Sequence, residues 1–179
     1  MFFTAIAAVS QEGAIGAGLE LAVHSRPDMI HFANTTKDGV VIMGYNTAKS
    51  LKAPLPGRSN YVIGFTRSIR SNHTSDLDPG FTQIFTHPDS LESILHMIAA
   101  SHPDQLLFII GGAKMYEACA PYCSRLYLTE IPKSNPDADV FFPKEAFSGY
   151  KEVGRQDLPD GSVIVDYVNP HCLYGISVV

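Results

Sequence analysis

The sequence predicts a single α/β domain whose central sheet is largely parallel. Its 179 residues, 45% of them hydrophobic and 17% charged, are typical of one globular domain. Strand-like and helix-like segments alternate along the chain, which favours parallel strands joined by helices. The nearly continuous apolar runs Phe2–Val9 and Val40–Met43 suit strands that are covered on both faces. A chain of this length buries roughly 70% of its unfolded surface, enough for a core without cross-links.

A loop and a helix are expected after the first strand. Residues 10–25 contain three glycines and few periodic apolar positions, and they are therefore predicted to form a loop. Ser25-Arg26-Pro27-Asp28 has the features of a helix start: a capping Ser, a Pro in the first turn and an acid three residues after the Ser. This helix is expected to end near Thr36.

The remaining elements follow from short apolar runs and the turn residues between them. Residues 66–80 and 132–149 are rich in polar or turn-forming residues and are predicted to be mostly loop. The apolar residues of 91–98 have helical spacing. Besides the two runs already named, the predicted strands are Asn60–Gly64, Thr82–Phe85, Leu106–Ile110, Arg125–Ile131 and a closing hairpin of 151–157 with 162–168. The other predicted helices are Gly44–Leu51, one from Pro88 and one from Ala113.

Composition argues against several functional classes. The net charge of −5 and the absence of a basic stripe disfavour a nucleic-acid partner. No Lys or Arg precedes Arg26, which disfavours a signal peptide, and no apolar run approaches the ~18 residues of a membrane span. Three sparse cysteines do not resemble a disulfide framework or a metal site, so free thiols in a reducing compartment are expected. We expect a cytoplasmic protein with no resident metal.

Asp28 and Phe32 are one helical turn apart and share a helix face. A carboxylate and an aromatic ring arranged in this way could bind a flat heterocycle, with the carboxylate pairing to ring N–H groups. Taken alone, however, Asp28 is more simply a capping acid that stabilises the helix dipole, and Phe32 is a core residue.

Three other positions have both a structural and a functional interpretation. Gly111-Gly112 follows a buried strand and precedes a helix, where ligands and phosphates bind in α/β proteins, but it could simply form a tight turn. Thr47 could hold a second phosphate contact or cap a helix. Arg58 follows the stiff turn Pro54-Leu55-Pro56-Gly57, which suits a bidentate carboxylate contact, although a solvated surface Arg is the simpler alternative.

Short stretches along nearly the whole chain form a pattern that is specific in its order and spacing. They are Ala7-Ala8 with Ile15-Gly16, Asp28 with Phe32, Val41-Ile42-Met43-Gly44 with Thr47, Pro54-Leu55-Pro56-Gly57-Arg58 with Asn60, Ile110-Gly111-Gly112 with Tyr116, Leu126-Tyr127-Leu128-Thr129, and Asp139 with Phe142-Pro143. Together they resemble the dihydrofolate reductase family from Phe2 to about Val168. The resemblance favours the functional interpretation of Asp28, Arg58 and Gly111-Gly112.

The resemblance implies an eight-stranded, mostly parallel sheet with flanking helices and a C-terminal antiparallel hairpin. It also implies reduction of 7,8-dihydrofolate to tetrahydrofolate with hydride from NADPH, in support of one-carbon and thymidylate metabolism. Asp28 would bind the pterin 2-amino group and N3 and promote protonation of N5, and Thr129 would bridge to Asp28 through water. The other implied substrate residues are Ile6 and Ile110 through their carbonyls, Phe32, Leu51 and Leu55 along the pocket, and Arg58 on the glutamate α-carboxylate.

On the cofactor side, the resemblance implies contacts along the glycine-rich loops and helix starts, with a cis peptide between Gly111 and Gly112. The implied residues are Ala8, Ile15, Gly16, Gly44, Asn46, Thr47, Gly111, Gly112, Ala113, Lys114 and Tyr116. Tyr45 stands where the family commonly has a basic residue for the adenosine 2′-phosphate. We expect Thr66 and Arg67, together with Lys114, to replace it.

The chain departs from the family pattern in two further places. Val23 and Ala22 stand where the family usually has a Trp and a Pro, so the loop 17–24 is expected to close differently. Residues 170–179 form an extension beyond a domain of residues 1–169, and the chain is expected to be a monomer. Two alternatives stay open: a pyrimidine reductase of riboflavin synthesis with the same fold, and a binding subunit without activity.

Overall fold

An eight-stranded sheet forms the centre of the computed structural model, which describes residues 2–65 and 76–172. The strands are β1 Phe3–Val9, β2 Ala14–Ala17, β3 Glu20–Leu21, β4 Val40–Gly44, β5 Ser59–Phe65, β6 Thr82–Thr86, β7 Leu107–Ile109, β8 Cys123–Glu130, β9 Val140–Phe141, β10 Lys151–Asp157 and β11 Val163–Val168. The helices are α1 Arg26–Thr36, α2 Tyr45–Leu51, α3 Leu91–Ser101 and α4 Ala113–Cys119, with short 3-10 turns at Pro88–Ser90, Ala120–Tyr122 and Lys144–Phe147.

The order of the strands in the main sheet is β10-β11-β8-β1-β7-β4-β5-β6. All pairings from β8 to β6 are parallel, whereas β11 pairs antiparallel with both β8 and β10. The predicted α/β fold, with a mostly parallel sheet and a C-terminal antiparallel hairpin, is therefore confirmed. Parallel strands end at the same edge of a sheet, and this edge is where α/β proteins bind ligands.

The prediction that residues 10–25 form only a loop is wrong in part. Strands β2 and β3 pair with each other, and β2 also pairs with β9, giving a small three-stranded antiparallel sheet. Both strands are too short for alternation to show in the sequence, and β2 is also interrupted by Gly16. Their partner β9 lies in the 132–149 segment, far away along the chain.

The core lies on both faces of the main sheet because successive strand residues point to opposite sides. In β4, Val40 and Ile42 pack into the cluster formed with helices α3 and α4, whereas Val41 and Met43 pack into the cluster beside α1 and α2. All four are fully buried, which explains the continuous apolar run. Within the described ranges, none of the helices is long and apolar enough to cross a bilayer.

Leu95 and Met97 offer a matched test of this core, since both are on α3 but only Leu95 is buried. Leu95 is 0% exposed and Met97 is 50% exposed. We expect Leu95→Ala to lower the free energy of unfolding by about 2–5 kcal/mol through lost burial and a residual cavity. Met97→Ala should change it by less than about 0.5 kcal/mol. Urea unfolding measures both, and an equal effect of the two substitutions would contradict the assigned orientation of α3.

Candidate active site

The first turn of α1 fixes the position of Asp28. Ser25 is the N-cap, and its Oγ accepts a hydrogen bond from the Asp28 backbone N–H at 3.2 Å. Pro27 lies in the first turn, where its missing N–H removes no helical hydrogen bond. Among the described residues, the Asp28 side chain makes no hydrogen bond back to the Ser25 N–H. Only half of a capping box forms, so the carboxylate is available for other contacts.

The surroundings of Asp28 favour its protonated form. Burial raises the pKa of Asp28 above its ordinary value, and the charge of Asp160 raises it further. The hydroxyl of Thr129 and the neighbouring His31 act in the opposite direction. Thr129 is buried on β8, and its hydroxyl has no direct hydrogen-bond partner within the described residues. The Thr129 hydroxyl therefore lies close enough to lower the pKa of Asp28, but it does not form a direct hydrogen bond with the carboxylate.

An apolar wall lies between α1, α2 and the sheet. Phe32, Leu51, Leu55 and Ile110 all pack on the cluster of buried residues to which Ile6 belongs. The structure thus brings together five of the residues predicted to hold the substrate. A half-buried Phe ring beside Leu side chains provides a surface on which a flat aromatic ligand can stack.

Arg58 lies at the outer end of this wall. Its Cζ is 6.0 Å from the centre of the Phe32 ring, and its Nη1 donates to the Thr36 hydroxyl at 2.9 Å. The Asn60 side chain makes two hydrogen bonds to the Leu55 backbone and one to the Arg58 carbonyl, which explains why the turn is stiff. Across residues 2–65 and 76–172 no carboxylate pairs with Arg58. The guanidinium is held in place with donors left for a ligand.

A cleft of about 970 Å³ opens beside the wall at the carboxyl ends of the parallel strands. All the described residues predicted to contact the cofactor line it: Ala8, Ile15, Gly16, Gly44, Asn46, Thr47, Gly111, Gly112, Ala113, Lys114 and Tyr116. Ile110 belongs to both the cleft and the apolar wall, so the two regions adjoin. Thr66 and Arg67 lie outside the described residues.

Close backbone packing shapes the floor of this cleft. The Gly111–Gly112 peptide is cis, as the resemblance implies, and Gly111 has a φ of +124°. The Gly44 N–H donates to the Gly111 carbonyl at 2.7 Å. Within residues 2–65 and 76–172, neither α2 nor α4 has a side-chain hydrogen bond at its N-cap, which leaves N–H groups of the first turn available to an anionic ligand.

Tyr116 connects the cleft with the wall in a way that was not predicted from the sequence. Its buried hydroxyl donates to the Ile6 carbonyl at 2.7 Å, and its ring lines the cleft. The Ile6 carbonyl, predicted to face the pterin edge, thus already accepts one hydrogen bond and keeps a second lone pair. Burial raises the pKa of Tyr116, and the Asp28 charge raises it further, so the two groups are electrostatically coupled.

Tyr45 lines the cleft and contacts a carboxylate from a distant part of the chain. Tyr45 hydrogen-bonds through its hydroxyl to Asp76, and Lys49 pairs with the same carboxylate at 3.1 Å. The Lys49 ammonium also lies 5.6 Å from the centre of the Tyr45 ring. Tyr45 and Lys49 thus share the carboxylate of Asp76, a contact that the sequence does not reveal because Asp76 lies far from both residues along the chain.

Side chains from residues 133–139 hold the loop that covers the cleft. Asn135 Nδ2 donates to the Ala22 carbonyl at 2.7 Å, and Lys133 Nζ donates to the His24 carbonyl at 2.6 Å. The Gly18 N–H donates to Asp139 at 3.0 Å. Val23, which stands where the family usually has Trp, is 9% exposed. These contacts connect the loop to the segment that contains β9.

The fold and the site together place the chain in the class of α/β oxidoreductases. A glycine-lined cleft suited to a cofactor lies beside an apolar pocket with the carboxylate of Asp28. The family model described as dihydrofolate reductase matches residues 2–168. The dihydrofolate reductase of Bacillus subtilis is 34% identical over 79% of this chain and 76% of its own length, and the type 9 enzyme of Escherichia coli is 32% identical over 84% and 81%. The chain belongs to the dihydrofolate reductase family.

A solved structure shows the same fold at low identity. The dihydrofolate reductase from Enterococcus faecalis, complexed with NADP(H) and RAB-propyl, superimposes with a TM-score of 0.75 and 21% identity. The match covers 94% of this chain and 96% of that one. The reaction of the family is the reduction of dihydrofolate with hydride from a nicotinamide cofactor. These matches favour the folate reductase over the riboflavin-pathway alternative.

A stability measurement separates the two interpretations of Asp28. Because its pKa in the folded protein is raised above the ordinary 3.8, the folded state binds more protons than the unfolded state between these two pKa values. The contribution of Asp28 to the free energy of unfolding should therefore fall as the pH rises through that window, and this fall should appear as the difference between the unsubstituted protein and Asp28→Asn. At neutral pH the variant is expected to unfold at a higher urea concentration than the unsubstituted protein. A less stable variant at neutral pH would show that Asp28 acts mainly as a capping acid.

Proposed function

We propose that this chain reduces 7,8-dihydrofolate to 5,6,7,8-tetrahydrofolate with NADPH, and that Asp28 is the residue that anchors and helps to protonate the pterin. The observation that carries the proposal is a half-buried carboxylate one helical turn before Phe32, which packs on the apolar wall that adjoins the cofactor cleft. In such a place a carboxylate can pair with the 2-amino group and N3–H of a pterin, whose ring stacks on Phe32.

Reduction of the pterin C6–N5 bond adds a hydride to C6 and a proton to N5. A raised pKa lets Asp28 take up and release a proton near the working pH, which is the property that a general acid–base group needs. We propose that the Thr129 hydroxyl bridges to Asp28 through water, since it is buried nearby without a direct partner among the described residues. N5 then receives its proton through water and the substrate enol.

The opposite end of the substrate requires a cation. Dihydrofolate ends in a glutamate whose α-carboxylate matches the fork of a guanidinium. Arg58 is held by Thr36 and by the Asn60-braced turn at the outer end of the wall, beside Leu55. Leu51 and Leu55 would cover the aminobenzoyl group between the pterin and this carboxylate.

The residues of the cleft fit a dinucleotide. Its volume of about 970 Å³ is large enough, and Gly44, Gly111 and Gly112 let the backbone approach closely. Bound NADPH supplies the hydride. Ala8 and Ile15 would hold the nicotinamide end, while Asn46, Thr47 and the start of α4 would hold the pyrophosphate. Among the described residues, Lys114 is the cation that lines the cleft, and we propose that it contributes to binding the 2′-phosphate.

The wider setting follows from the same proposal. We infer a cytoplasmic monomer that supplies tetrahydrofolate to one-carbon and thymidylate metabolism, with a domain of residues 1–169 and an extension of 170–179. The three cysteines are free thiols, which fits a reducing compartment. Residues 173–179 lie outside the described part of the chain.

The direct test of catalysis is oxidation of NADPH by the purified chain in the presence of dihydrofolate. The unsubstituted protein should turn over, and Asp28→Asn should reduce the rate roughly 10²–10⁴-fold at neutral pH because the proton donor is lost. NADH measured in parallel reports the cofactor preference. Absence of turnover with both cofactors would favour the binding-subunit alternative, whereas full activity of the variant would reject the role of Asp28.

Arg58→Leu separates substrate binding from cofactor binding. Loss of the guanidinium should raise the KM for dihydrofolate roughly 10- to 100-fold, since a charge-assisted bidentate contact contributes about 1.5–3 kcal/mol. The KM for NADPH should change less than about twofold. Arg155→Leu is a suitable control, because Arg155 lies on β10 and pairs with Glu130 and Glu152 away from the wall. Equal weakening of substrate and cofactor by Arg58→Leu would contradict the assignment.

A further inference from the structure

A chain of hydrogen bonds connects Asp28 with the turn between β10 and β11. We propose that Asp160, acting through Ser25, is a positioning residue that holds the backbone of Asp28 in place and opposes ionisation of the Asp28 carboxyl. This inference rests on the function proposed above. Within the described residues, neither Ser25 nor Asp160 lines the cofactor cleft. The sequence predicts Ser25 only as a helix cap, and Asp160 lies in the connection between the two strands of the predicted closing hairpin.

The direction of the hydrogen bonds is fixed by their chemistry. The Ser25 hydroxyl donates its one proton to Asp160 Oδ2 at 2.6 Å, and its oxygen accepts from the Asp28 N–H at 3.2 Å. The other carboxylate oxygen of Asp160, Oδ1, accepts from the Ser162 N–H at 3.1 Å. Both serines are buried, with 2% of Ser25 and 0% of Ser162 exposed. Asp160 thus holds the hydroxyl that in turn holds the backbone of Asp28.

The turn that carries Asp160 is firmly attached to the strand beside Asp28. The Leu158 N–H donates to the Ser162 carbonyl at 2.8 Å, and Gly161 adopts a φ of +84°, which favours glycine. Directly after this turn, β11 pairs with β8, and Ile164 lies opposite Thr129. Two of the groups that act on Asp28, Thr129 and Asp160, therefore belong to one paired unit of the sheet.

The charges around Asp28 show what Asp160 contributes. The hydrogen bond from Ser25 is the main reason that the pKa of Asp160 is lowered, so Asp160 is ionised at neutral pH. Its negative charge raises the pKa of Asp28, in addition to the effect of burial. The other groups that interact with the Asp28 charge are His31 on α1, Thr129 on β8 and Tyr116 on α4. Among these groups, Asp160 is the like charge that opposes ionisation of Asp28.

The test is a titration of the Asp28 carboxyl by carbon-13 NMR in the full chain, with the signal assigned by its loss in Asp28→Asn. Asp160→Asn keeps one acceptor oxygen for Ser25 but removes the charge, and it should move the Asp28 midpoint to lower pH. Asp157→Asn is the matched control, because Asp157 is an exposed acid at the end of β10 that is not among the groups acting on the pKa of Asp28, and it should leave the midpoint in place. An equal midpoint in the two variants would overturn the electrostatic part of the inference.

Ser25→Ala tests the positional part. Loss of the cap should lower the Tm by about 2–4 °C. Misplacement of Asp28 should slow single-turnover hydride transfer roughly tenfold, and Ser25→Thr, which keeps the hydroxyl, should restore most of the rate. A lowered Tm with an unchanged hydride-transfer rate would show that Ser25 only caps the helix and would overturn the positional part. The NMR titration needs no substrate, so failure of the proposed function is recognised separately, by absence of turnover in the unsubstituted protein.

Discussion

The structure depends on keeping one carboxylate, Asp28, partly out of water, and in the described part of the chain no Lys or Arg forms an ion pair with it. Burial makes its charged form costly, and the protein offsets this cost only in part, through Thr129 and the neighbouring His31. The backbone of Asp28 is fixed by the Ser25 cap at the start of α1. The helix cap therefore also serves the site, because the helix start holds the carboxylate at the wall. Since the cost of burying its charge is offset only in part, the pKa of Asp28 stays raised and the carboxyl can carry a proton.

The sheet brings the rest of the chemistry to this point. Because β1, β4 and β7 are parallel neighbours, Ile6, Gly44 and Ile110 are brought to the same edge of the sheet, where the apolar wall adjoins the cleft. Tyr116 links the two regions by donating to the Ile6 carbonyl. A hydride donor in the cleft and a flat acceptor on the wall would meet where water is excluded, which is the condition that hydride transfer requires.

Much of the fold could be predicted from the sequence because its signals are local. The buried strands β1 and β4 are continuous apolar runs, and the start of α1 follows from Ser25, Pro27 and Asp28. Strands β2 and β3 were missed because they are stabilised by pairing with the distant β9. The same limit applies to the site: the resemblance supplied Asp28, Arg58 and the glycines, whereas the contacts of Tyr116, Asp76 and Asp160 join residues far apart in sequence.

In the proposed mechanism, a proton held at Asp28 accompanies hydride transfer to a bound pterin. Single-turnover oxidation of NADPH by the unsubstituted chain with saturating dihydrofolate, followed by stopped-flow fluorescence across the pH range, tests this directly. We expect a fast phase whose rate falls as the pH rises through one apparent pKa above the ordinary Asp value of 3.8. A fast phase with a rate independent of pH, or no oxidation at any pH, would contradict it.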